Sequence, residues 1–334
     1  MKNAADWQAG GEYTYTVSLA AAKDPGYTIE GNGSYTVTSA DGLINVAELV
    51  NGGKTDINIT LGKNIDLTGK GWTPIGTNYE KRYKGTFDGR GHTIKGLTVT
   101  TNDQFVGLFG YLDKAGTVKN VVMEGIQITS NHVLMSGNTG GVVGYSWGTI
   151  ENCSVSGSVS GTVYVGGVVG AQIGGSITGC SSSATVKGTV DVGGVAGQTN
   201  SSATLTACYA TGNVTLEIDS PKNLSGGGLV GFNGGSSVLA CYATGNVTST
   251  GSSTGNVHIG GFLGDNYTTV TACYWKNNHE QGIGYNNKVT EATKVDGTDV
   301  TWQKAVDAMN TALQTAGSKW RYELNGALPT LRKL

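Results

Sequence analysis

Residues Gly227–Val247 read GGLVGFNGGSSVLACYATGNV, and the organisation of the chain follows from that stretch. A Gly pair, two apolar residues and a third Gly are followed by polar or small residues and then by an apolar segment that holds a Cys. The frame recurs as GGVVGYSWGTIENCSV from Gly140, GGVVGAQIGGSITGCSS from Gly166, GGVAGQTNSSATLTACYATG from Gly193 and GGFLGDNYTTVTACYW from Gly260. A looser copy, VGLFGYLDKAGTVKNVV, starts at Val106. Cys153, Cys180, Cys208, Cys241 and Cys273 follow one another at 27, 28, 33 and 32 residues, and Val121 fills the slot in the first copy. One Cys per repeat in constant register is a ladder.

A period of this length, built from β-branched runs and Gly or Asn turns, specifies a solenoid in which each repeat is one supersecondary unit. The repeats show no 3.6-residue apolar pattern, and Val, Ile, Thr and Tyr around mid-unit Gly favour strands and tight turns. Each repeat therefore reads as one coil of an all-β parallel β-helix, with coils about 4.8 Å apart and equivalent residues stacked along the axis. The Cys slot points inward, as a small, soft apolar residue at a tight interior position; Val121 suits the same place. Metal or redox chemistry would need thiolates converging at C-x-x-C spacing, which the sequence lacks, so no metal and no cofactor is expected.

The chain has 334 residues, with 55 Gly, 4 Pro and 14% charged residues, where ordinary globular chains run nearer ~7% Gly and ~25% charged. The 38% apolar fraction, with 15 Tyr and 6 Trp, argues against disorder. A net charge of −2 supplies no field for phosphate, so nucleic acid is not an expected partner. Apolar runs such as Gly140–Tyr145 fall far short of a membrane span. Met1–Gly11 has no apolar signal region, so any export signal is expected to lie outside this chain.

The signature GG-(L/V)-V-G followed by C-Y-A-T-G-N-V resembles the GLUG motif of bacterial surface proteins. Upstream, NIDLTGKGWTPIG (Asn64–Gly76) and KGTFDGRGHTIKGLTV (Lys84–Val99) look like the same family's lead-in, and KWRYELNGALPTL (Lys319–Leu331) is similar to its closing segment. The resemblance covers about Ser34 to Leu334. It implies a right-handed parallel β-helix on, or secreted from, a bacterial cell, and little about chemistry. Some proteins bearing the motif are immunoglobulin-A-type metallopeptidases, but the only His-Glu pair here, His279-Glu280, is followed by Ile283 where a second zinc ligand would stand.

An open β-helix must cover its end edges. Ser39 or Asp41 can cap a helix whose face is Leu43, Val46, Ala47, Leu49 and Val50, stopped at Asn51-Gly52-Gly53, and this helix should plug the first coil. Thr301 precedes a stripe of Trp302, Ala305, Val306, Met309, Ala312 and Leu313, ending before Gly317. That helix, with Trp320, should seal or flank the last coil. The expected organisation is residues 1–33 as a linker or remnant of a preceding domain, 34–104 as a lead-in with its cap, 105–285 as repeat coils and 286–334 as a C-terminal cap. Trp7–Leu19 alternates like a strand and is similar to the closing strand of fimbrillin-like domains.

Three coils carry six extra residues between the Cys slot and the next Gly pair, so Thr129–Thr139, Thr215–Ser225 and Thr248–Asn256 are expected to protrude along one edge. Insertions on one face of a repeat protein often build its binding face. Trp147, Tyr164 and Tyr267, with Asn223 and Asn256 on the protruding edge, are the candidate binding residues, through aromatic faces that can stack on sugar rings or partner side chains.

Catalysis finds little support. Asp88-Gly89-Arg90-Gly91-His92 reads first as an Asx-type turn. Asp103, Asp113, Glu124, Glu151, Asp191 and Asp265 share no slot, and the four His residues fall in loops or between repeats, away from a nucleophile. The expectation is therefore a non-catalytic, monomeric adhesin-like module at the cell surface (outer-membrane-associated) or outside the cell. Its partner would be a host or microbial surface glycan or protein. The alternatives are a carbohydrate-active β-helix enzyme using Asp88, Arg90 and Glu124, and a structural spacer beside a peptidase domain.

Overall fold

The computed structural model describes residues 24–132, 136–218, 223–288 and 292–334, and it is a parallel β-solenoid. The strand expected within Trp7–Leu19 lies outside the described residues. One coil shows the plan. Thr149–Glu151 lies in the first, 15-stranded sheet; Ser154–Ser160 follows in a second, 13-stranded sheet; Tyr164–Gly166 enters a third, 6-stranded sheet; and Val169–Thr178 returns to the first. Neighbouring coils pair in parallel, as in Val118↔Ile150 and Ile150↔Ile177, so the apolar residue of each strand stacks on its counterpart above. Val118, Ile150, Ile177, Leu205 and Val238 form one such fully buried column, each worth roughly 1.5–3 kcal/mol of burial.

The corner between the first and second sheets is left-handed: Asn120, Asn152, Gly179, Ala207, Ala240 and Ala272 all have φ between 49° and 64°. Each immediately precedes Val121 or a cysteine, and all six of these slot residues are buried. The turn presents the carbonyl two residues before each Cys to its own thiol, with Sγ···O of 3.3 Å for Cys153, Cys208, Cys241 and Cys273 and 3.5 Å for Cys180. A small residue with a weak donor therefore suits the slot better than a pure hydrocarbon.

The identity of the left-handed corner residue changes along the solenoid. In the early coils the side chains form an amide ladder: Asn152 Nδ2 donates to Asn120 Oδ1 at 2.8 Å, and Asn120 Nδ2 donates to Asp88 Oδ1 at 2.9 Å. In the later coils Gly179 and the three alanines leave room, and the C-terminal segment docks there. A second, buried amide ladder runs inside the first sheet, from Thr199 Oγ1 to Asn233 Oδ1 (2.9 Å), from Asn233 Nδ2 to Asn266 Oδ1 and from Asn266 Nδ2 to Asn286 Oδ1 (both 3.0 Å). Such ladders satisfy buried amides coil to coil.

Helix α1, Ala40–Asn51, is capped by Ser39, whose Oγ accepts from Gly42 N at 3.0 Å, and its Leu43, Val46, Ala47 and Val50 join the main core at the first coil. Helix α2, Trp302–Thr315, is capped by Thr301. Its position corrects one half of the seal-or-flank expectation. Trp302, Ala305, Val306, Met309 and Leu313 pack with Ala207, Ala240, Tyr242, Tyr274, Trp320 and Tyr322 in a separate cluster on the outside of the solenoid. The helix flanks several coils, because the column of small left-handed residues is the apolar surface available to its stripe. The hairpin Trp320–Glu323 with Thr330–Lys333 then runs back along the coils. Tyr322 Oη donates to Ala240 O at 3.0 Å, Tyr242 Oη donates to Pro329 O at 2.5 Å, and Lys333 reaches Glu151 at 2.5 Å.

The protruding edge is also corrected in part. Val214–Ile218 pairs along its length with Val247–Gly251, and Leu216 and Ile218 are buried in the core. Strand Val122–Ser130 absorbs Thr129 and Ser130, while Asn138, Thr139 and Ser225 are buried in the third sheet. The alternation in VTLEI continues a strand, so some of the extra residues widen the coil instead of leaving it.

Candidate functional site

The Gly-Gly-x-x-Gly frame makes a sharp arch between the third and first sheets. At the third Gly the strands approach closely: a Cβ on Gly144 would stand 2.7 Å from Val106 N, and one on Gly197 2.4 Å from Val165 N. Across this arch two columns of side chains face each other, with Asn138, Asp191, Ser225, Tyr111, Ala171 and Asp265 buried between the strands and the other members half-buried or, at Tyr285, exposed. The third sheet contributes Phe105, Asn138, Tyr164, Asp191, Ser225 and His258 in register. The first sheet contributes Tyr111, Tyr145, Ala171, Gln198, Phe232, Asp265 and Tyr285. Together they make a stripe along the solenoid axis.

One end of the stripe is aromatic. Phe105 lies 5.3 Å from Tyr111 and 5.6 Å from Tyr145, Tyr111 and Tyr145 are 4.9 Å apart, and Tyr79 meets Tyr111 edge-on at 6.0 Å. Trp147, 39% exposed, completes a cleft of about 300 Å³ with Tyr79, Arg82, Tyr111, Asp113, Lys114 and Tyr145. Arg82 pairs with Asp113 and lies 4.2 Å over the Tyr79 ring. Burial opposes ionisation of Asp113, but the Ala115 amide and the Arg82 guanidinium hold its carboxyl below the usual range. Burial pushes the Tyr111, Tyr145 and Tyr164 phenols up.

The other end combines aromatics with carboxyls. Tyr267 lies 5.5 Å from Phe232 and 5.8 Å from Tyr285, and Tyr285 stacks on His258 at 5.0 Å. His258 Nδ1 is 2.5 Å from Asp265 Oδ1, and Ser225 Oγ donates to Asp265 Oδ2 at 2.9 Å. Asp191 sits one coil before Ser225. Burial, reinforced by the Asp265 charge, pushes the Asp191 carboxyl well up, and burial also raises Asp265.

The sequence-predicted residues are thus sorted. Trp147 and Tyr164 fall at the first aromatic end and Tyr267 at the second, on one face. Asn223 and Asn256 are exposed and adjacent, since Leu224 N donates to Asn256 O at 2.9 Å, and they border the stripe two residues before Ser225 and His258. What sequence reasoning missed is the convergence of Asp191 with Asp265 and the strand position of His258. The two acids occupy different slots of the repeat, two coils apart, and both flank Ser225 because the arch folds one slot onto the other. The signal was available as a constant seven-residue offset: Asn138/Tyr145, Tyr164/Ala171, Asp191/Gln198, Ser225/Phe232 and His258/Asp265.

Asp88, by contrast, is occupied structurally. It accepts from Arg90 N and Asn120 Nδ2, both at 2.9 Å, while Arg90 and Glu124 are exposed and Glu124 pairs in register with Lys95 on the second sheet. The cysteines are enclosed, and burial pushes the Cys153, Cys208 and Cys241 thiols well up, which leaves them poor nucleophiles. A groove of about 400 Å³ between the second sheet and Leu328–Thr330 is lined by Ser and Val residues together with Met123, Glu124, Tyr209, Thr211 and Tyr242. Among the described residues, no helix is long and apolar enough to cross a membrane.

Residues 135–160, 161–187 and 223–248 match the family described as the GLUG motif. Halomucin of Haloquadratum walsbyi is 37% identical over 121 residues, which is 33% of this chain and 1% of that protein. A candidate Gly-rich membrane protein of Evansella cellulosilytica is 32% identical over 131 residues, 36% of this chain and 14% of that one. The chain therefore spans a small part of the length of the curated relatives it matches. Among solved structures, a candidate immunoglobulin A1 protease from Bacteroides ovatus superposes with a TM-score of 0.70 over 93% of this chain and 95% of that one, at 20% identity, a likeness of fold. These three segments carry the GLUG motif, and they fall on coils of the parallel β-helix.

Proposed function

We propose that this chain is a non-catalytic binding module, displayed on or released from the cell surface, that attaches to a glycan through the stripe along its arch. The observation that carries the reading is the grouping of exposed aromatic faces at Tyr79, Trp147, Tyr267 and Tyr285 on one face, with Arg82 beside the first group and the half-buried Gln198 between the two. Flat apolar faces beside fixed polar groups suit sugar rings, which present C–H faces and hydroxyl edges. The relative named as a membrane protein supports a location at the surface.

The Ser225, His258 and Asp265 group argues against nucleophilic catalysis. In a working triad the hydroxyl faces the imidazole, whereas here both Ser225 and His258 turn to the same carboxylate. One observation favours a second reading, a polysaccharide hydrolase: Asp191 and Asp265 both flank Ser225 in the arch, the first in register with it and the second accepting from its hydroxyl, and burial raises the proton affinity of each. Release of new reducing ends from a polysaccharide, abolished by Asp191→Asn, would establish it.

The test of the main reading is a glycan and matrix-protein array probed with the full chain and with Trp147→Ala and Tyr267→Ala, each checked for an unchanged melting temperature. Binding to glycans that falls in both variants supports the module. Binding indifferent to both substitutions, or no binding at all, overturns it in favour of a spacer.

A further inference from the structure

The two aromatic ends of the stripe are in register with one another. From Tyr111 to Tyr285 the first-sheet column climbs six coil-to-coil steps, about 29 Å at the usual strand spacing. Between the ends lie Ala171, fully buried, and Gln198, half-buried, so the middle of the column is low while both ends carry rings. A small ligand would use one end. A polymer laid parallel to the axis would touch both, with the half-buried Gln198 beneath it.

The charge of the stripe narrows the polymer. Asp113 is paired with Arg82 and Asp265 faces His258, which leaves Asp191 with the Ser225 hydroxyl as its moderating contact. Lys114 stands at the rim of the first cleft. The column therefore offers a polyanion no row of cations: Arg82 is already paired with Asp113, and Asp191 and Asp265 are buried, so little repays the desolvation of an anionic chain.

We infer that the stripe binds an extended neutral polysaccharide along the solenoid axis, with the Tyr79/Trp147 and Tyr267/Tyr285 ends as two separate ring-stacking subsites. This rests on the binding reading above. Linking two weak subsites through one ligand makes the second contact intramolecular, so affinity depends on chain length.

The experiment is calorimetric titration of the full chain with neutral gluco- and manno-oligosaccharides from disaccharide to octasaccharide, with polygalacturonate as the anionic comparison. The expected result is an affinity that climbs at least about tenfold from disaccharide to about the hexasaccharide and then levels. Trp147→Ala and Tyr285→Ala should each reduce the hexasaccharide to the affinity of the disaccharide, and polygalacturonate should bind more weakly than neutral chains of similar length. Both side chains are surface groups, 39% and 40% exposed, so folding should survive their loss. A disaccharide that binds as tightly as the octasaccharide, or a preference for polygalacturonate, overturns the extended neutral site while leaving a glycan-binding module in place. Silence toward every saccharide, with Trp147-dependent capture of a protein on the array, overturns the glycan reading as well.

Discussion

The Trp320 indole lies directly against Gly179, so close that a Cβ there would stand 2.3 Å from Cζ2. Gly179 also has φ +64°, in the left-handed region that penalises side chains. Gly179→Ala is therefore expected to expel Trp320 and loosen the returning hairpin, at about 2–3 kcal/mol. Limited proteolysis should then cut within residues 318–334 while the coils resist. Asn152→Gly, which alters the same corner one coil earlier and away from the indole, should leave the hairpin protected.

Tyr322 ties that hairpin to the solenoid by donating to Ala240 O. Tyr322→Phe keeps the ring and strands a buried carbonyl, so it should cost about 1 kcal/mol. Denaturant titration at constant m-value will read it.

The five thiols should resist a water-soluble thiol reagent in the native protein and all react after denaturation, because each is 2% exposed or less. Cys153→Val should cost less than about 1.5 kcal/mol, since Val121 shows that the slot accepts that shape.

Asp191 predicts an unusual pH dependence. Its carboxyl binds a proton more tightly folded than unfolded, so its favourable contribution is complete below the ordinary Asp value of about 3.9 and is lost as pH rises through the raised folded value. Asp191→Asn should therefore stabilise the protein at pH 7 by on the order of 1–3 kcal/mol and lose that advantage toward pH 4. Melting curves of variant and wild type across that range, compared as differences, isolate the effect from the other carboxyls. A variant less stable at pH 7 would refute it.

The parallel coils, the inward Cys column and both helices were legible because each depends on local spacing: a fixed period, a Gly pair, a capped 3.6-residue stripe. The path of the C-terminal segment was not, because Lys333 meets Glu151 across 182 positions and nothing local encodes such a meeting. Even so, the change from Asn120 and Asn152 to Gly179, Ala207, Ala240 and Ala272 before successive slots marks where a covering segment begins. The stripe was half legible. Its aromatic residues stood out singly, while Asp191 and Asp265 were hidden by comparing like slots with like instead of slots seven residues apart.

A stack of coils bound only to its neighbours frays from its free end, one layer at a time. The hairpin that returns from the coil of Ala240 to the coil of Glu151 stitches those layers together from outside. Under tension along the axis, the coils beneath it would share the load and give way as one, as a seam does when its thread is cut.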